Sequence, residues 1–184
     1  MREIHYYVAT SINGFIESQK SQTNLFLNEG DHVNEYFKDL EEYSDVLLGR
    51  KTYEYGFEFG LIAGKKAYPW MDHYLISDDP NLKYSEQEIT IVRSFEVKST
   101  IQKLRKMETN KNIYLCGGGN LAGLLWQLDE IDRLFLKVNP IILSNGIHLF
   151  EQIDTETKLE FVKLKQFESG VILLEYQRKR LDFT

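Results

Sequence analysis

The chain has 184 residues, 42% of them hydrophobic and 27% charged, with a net charge of −6 at pH 7. That length suits one domain, able to bury about 70% of its unfolded surface without disulfide or metal staples. Eleven tyrosines, eleven phenylalanines and two tryptophans exclude disorder over most of the chain, and the acidic balance argues against a nucleic-acid binder.

The opening residues Met1-Arg2-Glu3-Ile4-His5-Tyr6 contain no apolar signal core, and no run of 18 apolar residues occurs. The single cysteine, Cys116, rules out an intrachain disulfide and suits a reducing compartment. A cytoplasmic protein without membrane contact is expected. Ile4 to Ala9 is β-branched and aromatic, a strand pattern that stops at Ser11-Ile12-Asn13-Gly14, where Asn-Gly marks a turn. Residues 17–24 read as a polar loop. Val33, Tyr36, Phe37 and Leu40 share one helical face, which predicts a helix from Asp31 to Tyr43 capped by Asn28 or Asp31. Asp45 to Gly49 is a short apolar run of the kind buried on both faces of a parallel sheet. Arg50 to Tyr55 opens a second helix, and Phe57 to Gly64 is ambiguous. Tyr74-Leu75-Ile76 and Ile89 to Val92 are short strands. Val97, Ile101, Leu104 and Met107 mark another amphipathic helix.

Ile113 to Cys116 is a buried-type strand that runs into Gly117-Gly118-Gly119. Asn120 is expected to cap the next helix, with Leu121, Leu124, Leu125 and Leu128 turned inward. Ile131 to Val138 is a long strand, followed by a loop from Asn139 to Gly146. Leu159 to Lys165 and Val171 to Tyr176 form a hairpin across Gln166-Phe167-Glu168-Ser169-Gly170. Strand–helix alternation followed by strands alone predicts an α/β fold. Its sheet is mixed, mostly parallel, of about eight strands, with a C-terminal antiparallel hairpin, in one domain spanning 1–184.

The three glycines lie where a buried strand meets a helix. Backbone there can approach a ligand closely, and a helix N-terminus presents free N–H groups, so a diphosphate fits; a tight turn without a ligand reads equally well. Ala122 stands where a dinucleotide fingerprint needs its third glycine, and Gly60 to Gly64-Lys65-Lys66 lacks the spacing and hydroxyl of a phosphate-binding P-loop. Gly49-Arg50-Lys51-Thr52 also follows a strand end. Two cations and a hydroxyl at a helix start suit a phosphate monoester, or are simply solvated charges. Cys116 reads as a structural thiol, and Asp78-Asp79-Pro80 as turn chemistry. His5, His32, His73 and His148 show no metal-ligand spacing. Arg178-Lys179-Arg180 reads as a solvated tail.

Together, Ala9-Thr10-Ser11-Ile12-Asn13-Gly14-Phe15-Ile16, Asp45 to Tyr53, Ile113 to Gly119 and Ile131-Asp132-Arg133-Leu134 with Asn139 to Leu143 and Gly146 resemble the dihydrofolate reductase-like superfamily. The closest resemblance is to stand-alone proteins similar to the C-terminal reductase domain of the bifunctional riboflavin-biosynthesis deaminase–reductase. The resemblance implies a three-layer fold, a homodimer and a reductase of a small-molecule substrate that uses NADPH. It maps the diphosphate to Gly117, Gly118, Gly119, Asn120 and Leu121, and the adenosine 2′-phosphate side to Gly49, Arg50, Lys51 and Thr52. Ala9, Asn13 and Gly14 would line the nicotinamide, and Ser77 would lie near the adenine ribose. The implied reaction is of the 5-amino-6-(5-phosphoribosylamino)uracil reductase type. Alternatives are a true dihydrofolate reductase or a non-catalytic dinucleotide-binding module. Two departures stand out: Asn13 replaces the usual Asp, and Tyr53-Glu54-Tyr55-Gly56-Phe57 is aromatic where the riboflavin reductases are Asp-rich. Val33 occupies the place of the folate reductases' carboxylate, so weak dihydrofolate reduction is expected. Glu54, Asp31 and Tyr36 are candidates for the proton donor.

Overall fold

A computed structural model describes residues 1–18 and 25–179. Most of the predicted polar loop at 17–24, and Arg180 in the tail, lie outside the described residues. Eight strands form one sheet in the order β5-β4-β3-β6-β1-β7-β10-β9. The central strands are β1 (Ile4–Ser11), β3 (Tyr43–Gly49), β6 (Asn112–Gly117) and β7 (Arg133–Asn139), all parallel. β4 (Asp72–Ile76) and β5 (Thr90–Val92) extend the parallel half. The hairpin of β9 (Leu159–Gln166) and β10 (Ile172–Arg178) closes the other edge antiparallel. The expected mixed sheet of about eight strands is therefore what forms.

Period-two alternation sends side chains of each central strand to opposite faces. On one face Ile4, Tyr6, Leu47, Leu115 and Leu134 pack against α3 (Val97–Arg105) and α4 (Gly119–Gln127). On the other face Tyr7, Val46, Leu48 and Tyr114 pack against α1 (Asp31–Asp39) and α2 (Arg50–Tyr55) through Tyr36, Leu40 and Tyr53. The result is three layers, helix–sheet–helix.

Helix α1 ends at Asp39, and a 3-10 turn over Leu40–Glu42 leads into β3. Its cap residue is Gly30, with no side-chain cap bond, instead of Asn28 or Asp31. The buried face agrees with the expected stripe at Leu40, but His32 is also buried, whereas Phe37 is 55% exposed. His32 can go inside because Leu27 carbonyl oxygen (3.0 Å) and the Ser169 hydroxyl (2.9 Å) satisfy its ring nitrogens. A second sheet of β2 (Phe15–Ser18) and β8 (Gly146–His148) is absent from the expectation, because each strand is too short to show a period. Arg178 is packed, not solvated: it donates to Trp126 carbonyl oxygen (2.7 Å) and stacks 4.0 Å over the Trp126 ring.

Two buried polar residues fasten distant elements. Arg2 donates to Lys111 and Leu104 carbonyl oxygens and to the carboxylate of Asp45, tying the N-terminus to β3 and α3. His73, 2% exposed, uses Nδ1 on Met71 carbonyl oxygen (3.1 Å), and Nε2 accepts the Ala67 (3.0 Å) and Tyr68 (3.3 Å) N–H groups. That double acceptor role requires the neutral ring, and desolvation takes its pKa from 6.5 down to about 4. The unfolded chain therefore binds the extra proton first. Stability from this residue should be complete above pH 6.5 and lost as pH falls toward 4, by up to about 3 kcal/mol. Urea unfolding at pH 7 and pH 4.5 checks this against His73→Gln, which should lack that part of the pH slope. An unchanged slope would contradict it.

Candidate functional site

The strands β1, β3 and β6 all end at the same edge of the sheet, the edge where open α/β folds bind ligands. There the Gly117–Gly119 turn and the Gly49–Thr52 segment lie side by side. A Cβ placed on Gly118 would stand 3.3 Å from Thr52 Oγ1, and one on Gly49 would stand 3.9 Å from Gly117 carbonyl oxygen. The glycines differ in what they permit. Gly117 has φ +111° and is joined to Gly118 by a cis peptide bond. Gly118 has φ −86°, so the constraint on it is space beside Thr52, not a left-handed backbone. Gly119 is packed by protein: a Cβ there would strike His148 carbonyl oxygen and the Glu151 side chain.

Helix α4 begins at Gly119 with Gly118 as its cap residue, so Asn120 lies inside the first turn and does not cap. The first internal bond there runs from Ala122 N–H to Gly118 carbonyl oxygen (3.0 Å). The N–H groups of Gly119, Asn120 and Leu121 precede it, at the positive end of the helix. This geometry fits an anionic group against the turn.

Arg50 is at the start of α2, but its guanidinium is shared. Nε binds Glu54 (2.8 Å) and a terminal nitrogen binds Asp79 (2.6 Å). Lys51 beside it is exposed. Ser77 is buried at the end of β4; its hydroxyl accepts the Asp79 N–H (3.3 Å), and its carbonyl oxygen accepts Arg93 (3.0 Å). Arg50, Asp79, Ser77 and Arg93 thus form one connected cluster, and a phosphate reaching Arg50 would compete with the charges of Asp79 and Glu54.

At the end of β1, Gly14 has φ +84° and closes a turn through its N–H to Ser11 carbonyl oxygen (3.1 Å). Asn13 is occupied structurally. Its Nδ2 donates to Leu143 carbonyl oxygen (2.7 Å), while its Oδ1 accepts the Leu143 N–H (3.1 Å) and the Ser11 hydroxyl (2.9 Å). An Asp in its place could accept but not donate.

Ala9 faces the α1–α2 side of the sheet, in register with Lys137 of β7. Around this level lie Tyr7, Tyr36, Tyr68, Tyr114 and Cys116. The Tyr36 and Tyr114 hydroxyls are 2.8 Å apart, and Tyr68 hydroxyl is 3.7 Å from Cys116 Sγ. Burial pushes the Tyr36 phenol up to about 12 and raises the Cys116 thiol and the Tyr114 phenol, so all three stay protonated. Lys137 Nζ stands 3.8 Å from the centre of the Tyr36 ring, and desolvation brings its ammonium down to about 8. Of the three expected proton donors, Tyr36 alone reaches this face beside Ala9. Asp31 binds Glu168 N–H (3.0 Å), and Glu54 holds Arg50 and the Tyr84 hydroxyl (3.2 Å). Sequence reasoning missed Lys137. Its only signal was a lysine two residues after Phe135, on the same face of the strand.

Two clefts of about 390 and 400 Å³ lie at the opposite edge of the sheet, around Arg105. Arg105 is committed there to Glu130 and Asp132. Convergent backbone N–H groups mark the glycine edge, not these clefts, as the candidate site. Among the described residues no group of three or more His, Cys, Asp or Glu side chains could hold a metal ion, and no helix is long and apolar enough to cross a membrane.

This architecture is that of a dihydrofolate reductase-like protein. A dihydrofolate reductase of Enterococcus faecalis, solved with NADP(H), superposes with a TM-score of 0.67 at 16% identity over 97% of each chain. A protein of Shewanella sp. PV-4 named for riboflavin biosynthesis superposes with a TM-score of 0.79 at 19% identity, covering 98% of this chain and 100% of its own. Residues 70–173 match the RibD C-terminal domain, and the chain belongs to that family. The uncharacterized protein YwjB of Bacillus subtilis (strain 168) is 29% identical over 175 residues, 94% of this chain and 96% of its own.

Replacing Asn13 by Asp removes one donor and sets a carboxylate against Leu143 carbonyl oxygen. This should cost about 0.5–1.5 kcal/mol, the low side of a lost bond because the residue is exposed. Denaturant titration at pH 7 measures it, and an Asn13→Asp variant as stable as wild type would show that the clamp contributes nothing.

Proposed function

We propose that this protein is an NADPH-dependent reductase that reduces a C=N or C=O group of a small heterocyclic or ribosylamino substrate, of the 5-amino-6-(5-phosphoribosylamino)uracil reductase type. The observation that carries the reading is the Gly117–Gly119 turn set against Thr52 at the edge where β1, β3 and β6 end. Membership of the RibD C-terminal domain family supports it. Bound NADPH supplies the hydride. Gly118, Gly119, Asn120 and Leu121 would hold its diphosphate with backbone N–H groups. Arg50, Lys51 and Thr52, with Ser77 behind them, would serve the adenosine side. Ala9 and Gly14 would border the nicotinamide, with Asn13 holding that loop in place. Tyr7 and Tyr114 are buried in the core on the same face of the sheet as Ala9. Residues 1–184 act as one domain in the cytoplasm.

NADPH should bind at least about tenfold tighter than NADH, since a charge-assisted bond to a phosphate contributes about 1.5–3 kcal/mol. Arg50→Ala should abolish the preference, and Asp79→Asn, which removes one of the two carboxylate charges on Arg50, should strengthen NADPH binding. Gly118→Val should stay folded by circular dichroism yet lose the cofactor, because its side chain meets Thr52 and fills the turn. Fluorescence titration of both cofactors decides. Equal affinities would remove the 2′-phosphate role, and normal NADPH binding by Gly118→Val would remove the site.

We further propose a homodimer. β9 is an edge strand with Leu159, Phe161, Val162 and Leu164 exposed. Such an edge invites pairing with a second copy. Light scattering should give about twice 21.6 kDa, and a monomer at micromolar concentration would contradict the pairing.

A further inference from the structure

Lys137 is a cation in the middle of a central strand. Its register partners are Ala9 on β1 and Leu173 on β10, so its side chain shares the α1–α2 face with both. Nζ lies 3.8 Å from the Tyr36 ring centre and 5.9 Å from that of Tyr7. Lys163, in register with Glu175, is a further cation on this face, near Glu35 and Asp39, and two of the carboxylates here are paired with other cations. Glu35 pairs with Lys165 (2.7 Å) and Glu175 with Arg133 (2.6 Å). Asp39 accepts the Tyr7 hydroxyl (2.9 Å), and its charge favours the ammonium without pairing with it. Among the described residues, then, no carboxylate bonds to Lys137. A leucine or methionine would fill the same space without the cost of desolvating a charge. An unpaired, half-buried ammonium beside a candidate ligand face is the kind of group that chemistry retains.

We propose that Lys137 is the acid that protonates the substrate during reduction. The inference rests on the reductase reading. As the reduced nicotinamide gives hydride to the carbon of a C=N or C=O group, the π pair of that bond moves to the heteroatom. The heteroatom takes a proton from Lys137 Nζ. The N–H pair remains on the amine, which regains a proton from water. The neighbouring phenols and thiol are held protonated by burial, leaving Lys137 as the group at the level of Ala9 whose proton is exchangeable near neutral pH. The Tyr36 ring holds Nζ in place through its face.

The test uses the full chain with 13C-labelled lysine. Lysine Cε signals are titrated from pH 6 to 11 with and without NADPH, and Lys137→Met assigns the peak. The expected result is a Lys137 midpoint near 8 and a signal that moves when NADPH binds, while Lys137→Met binds NADPH within about threefold of wild type. NADPH oxidation with 5-amino-6-(5-phosphoribosylamino)uracil is then followed across the same pH range. Wild type should lose rate above the Lys137 midpoint. Lys137→Met should fall about 100-fold or more and lack that limb, and Lys137→Arg should keep part of the rate with the limb moved above pH 10. A midpoint near 10 in both states, a signal indifferent to NADPH, or a Lys137→Met variant with the wild-type profile would overturn the proposal. Failure of wild type to bind NADPH would instead overturn the reductase reading, and this inference with it. If NADPH binds but this pyrimidine is not reduced, the substrate assignment falls and the lysine titration still decides the role of Lys137.

Discussion

The turn between β6 and α4 has almost no room for side chains, and the organisation of the candidate site follows from that. Gly117 takes a left-handed backbone, Gly118 abuts Thr52, and Gly119 and Gly123 are pressed by the 147–151 segment. A Cβ on Gly123 would strike Glu151 carbonyl oxygen, and the Glu151 N–H binds Gly119 carbonyl oxygen (3.0 Å). This close approach lays β8 next to β2, where Gly146 meets Glu17 carbonyl oxygen. β2 in turn begins at the turn that Asn13 clamps to Leu143. Three loops distant in sequence are thereby interlocked at one edge of the sheet, and the opening N–H groups of α4 stand within that frame.

Chemistry separates across the sheet. The α3–α4 face is mainly aliphatic with Tyr6 and Trp126 among its buried residues, whereas the α1–α2 face carries Tyr7, Tyr36, Tyr114, Cys116 and Lys137. Burial keeps the phenols and the thiol neutral. The sheet tolerates hydroxyls inside because Tyr36 and Tyr114 bond to each other, and Tyr114 bonds onward to Tyr7 carbonyl oxygen (3.3 Å).

Much of the fold was legible because its signals are local. The apolar runs at Asp45–Gly49, which ends in glycine, and Ile113–Cys116, which is followed by one, mark buried parallel strands whatever surrounds them. The hairpin of β9 and β10 is written in Gln166 to Gly170. What could not be read depends on partners remote in sequence. His32 reads as polar until Leu27 and Ser169 are seen to satisfy it, so the buried face keeps Tyr36 and Leu40 of the expected stripe but takes in His32 and leaves Phe37 out. Within the site, the glycines and Arg50 were legible as residue types. That Gly119 serves packing and that Arg50 is held by Glu54 and Asp79 required the tertiary structure. Lys137 is the same lesson: spacing placed it in a strand, but only the register with Ala9 placed it at the site.

The central claim is that a dinucleotide lies along the glycine turn at the C-terminal edge of the sheet. The most direct measurement is a 15N–1H correlation spectrum of the full chain during titration with NADPH. The account predicts that the largest amide shifts fall on Gly118, Gly119, Asn120 and Leu121, with smaller ones on Thr52 and Ala9. Shifts confined to the opposite edge around Arg105 and Asp132, or no shifts at saturating NADPH, would contradict it.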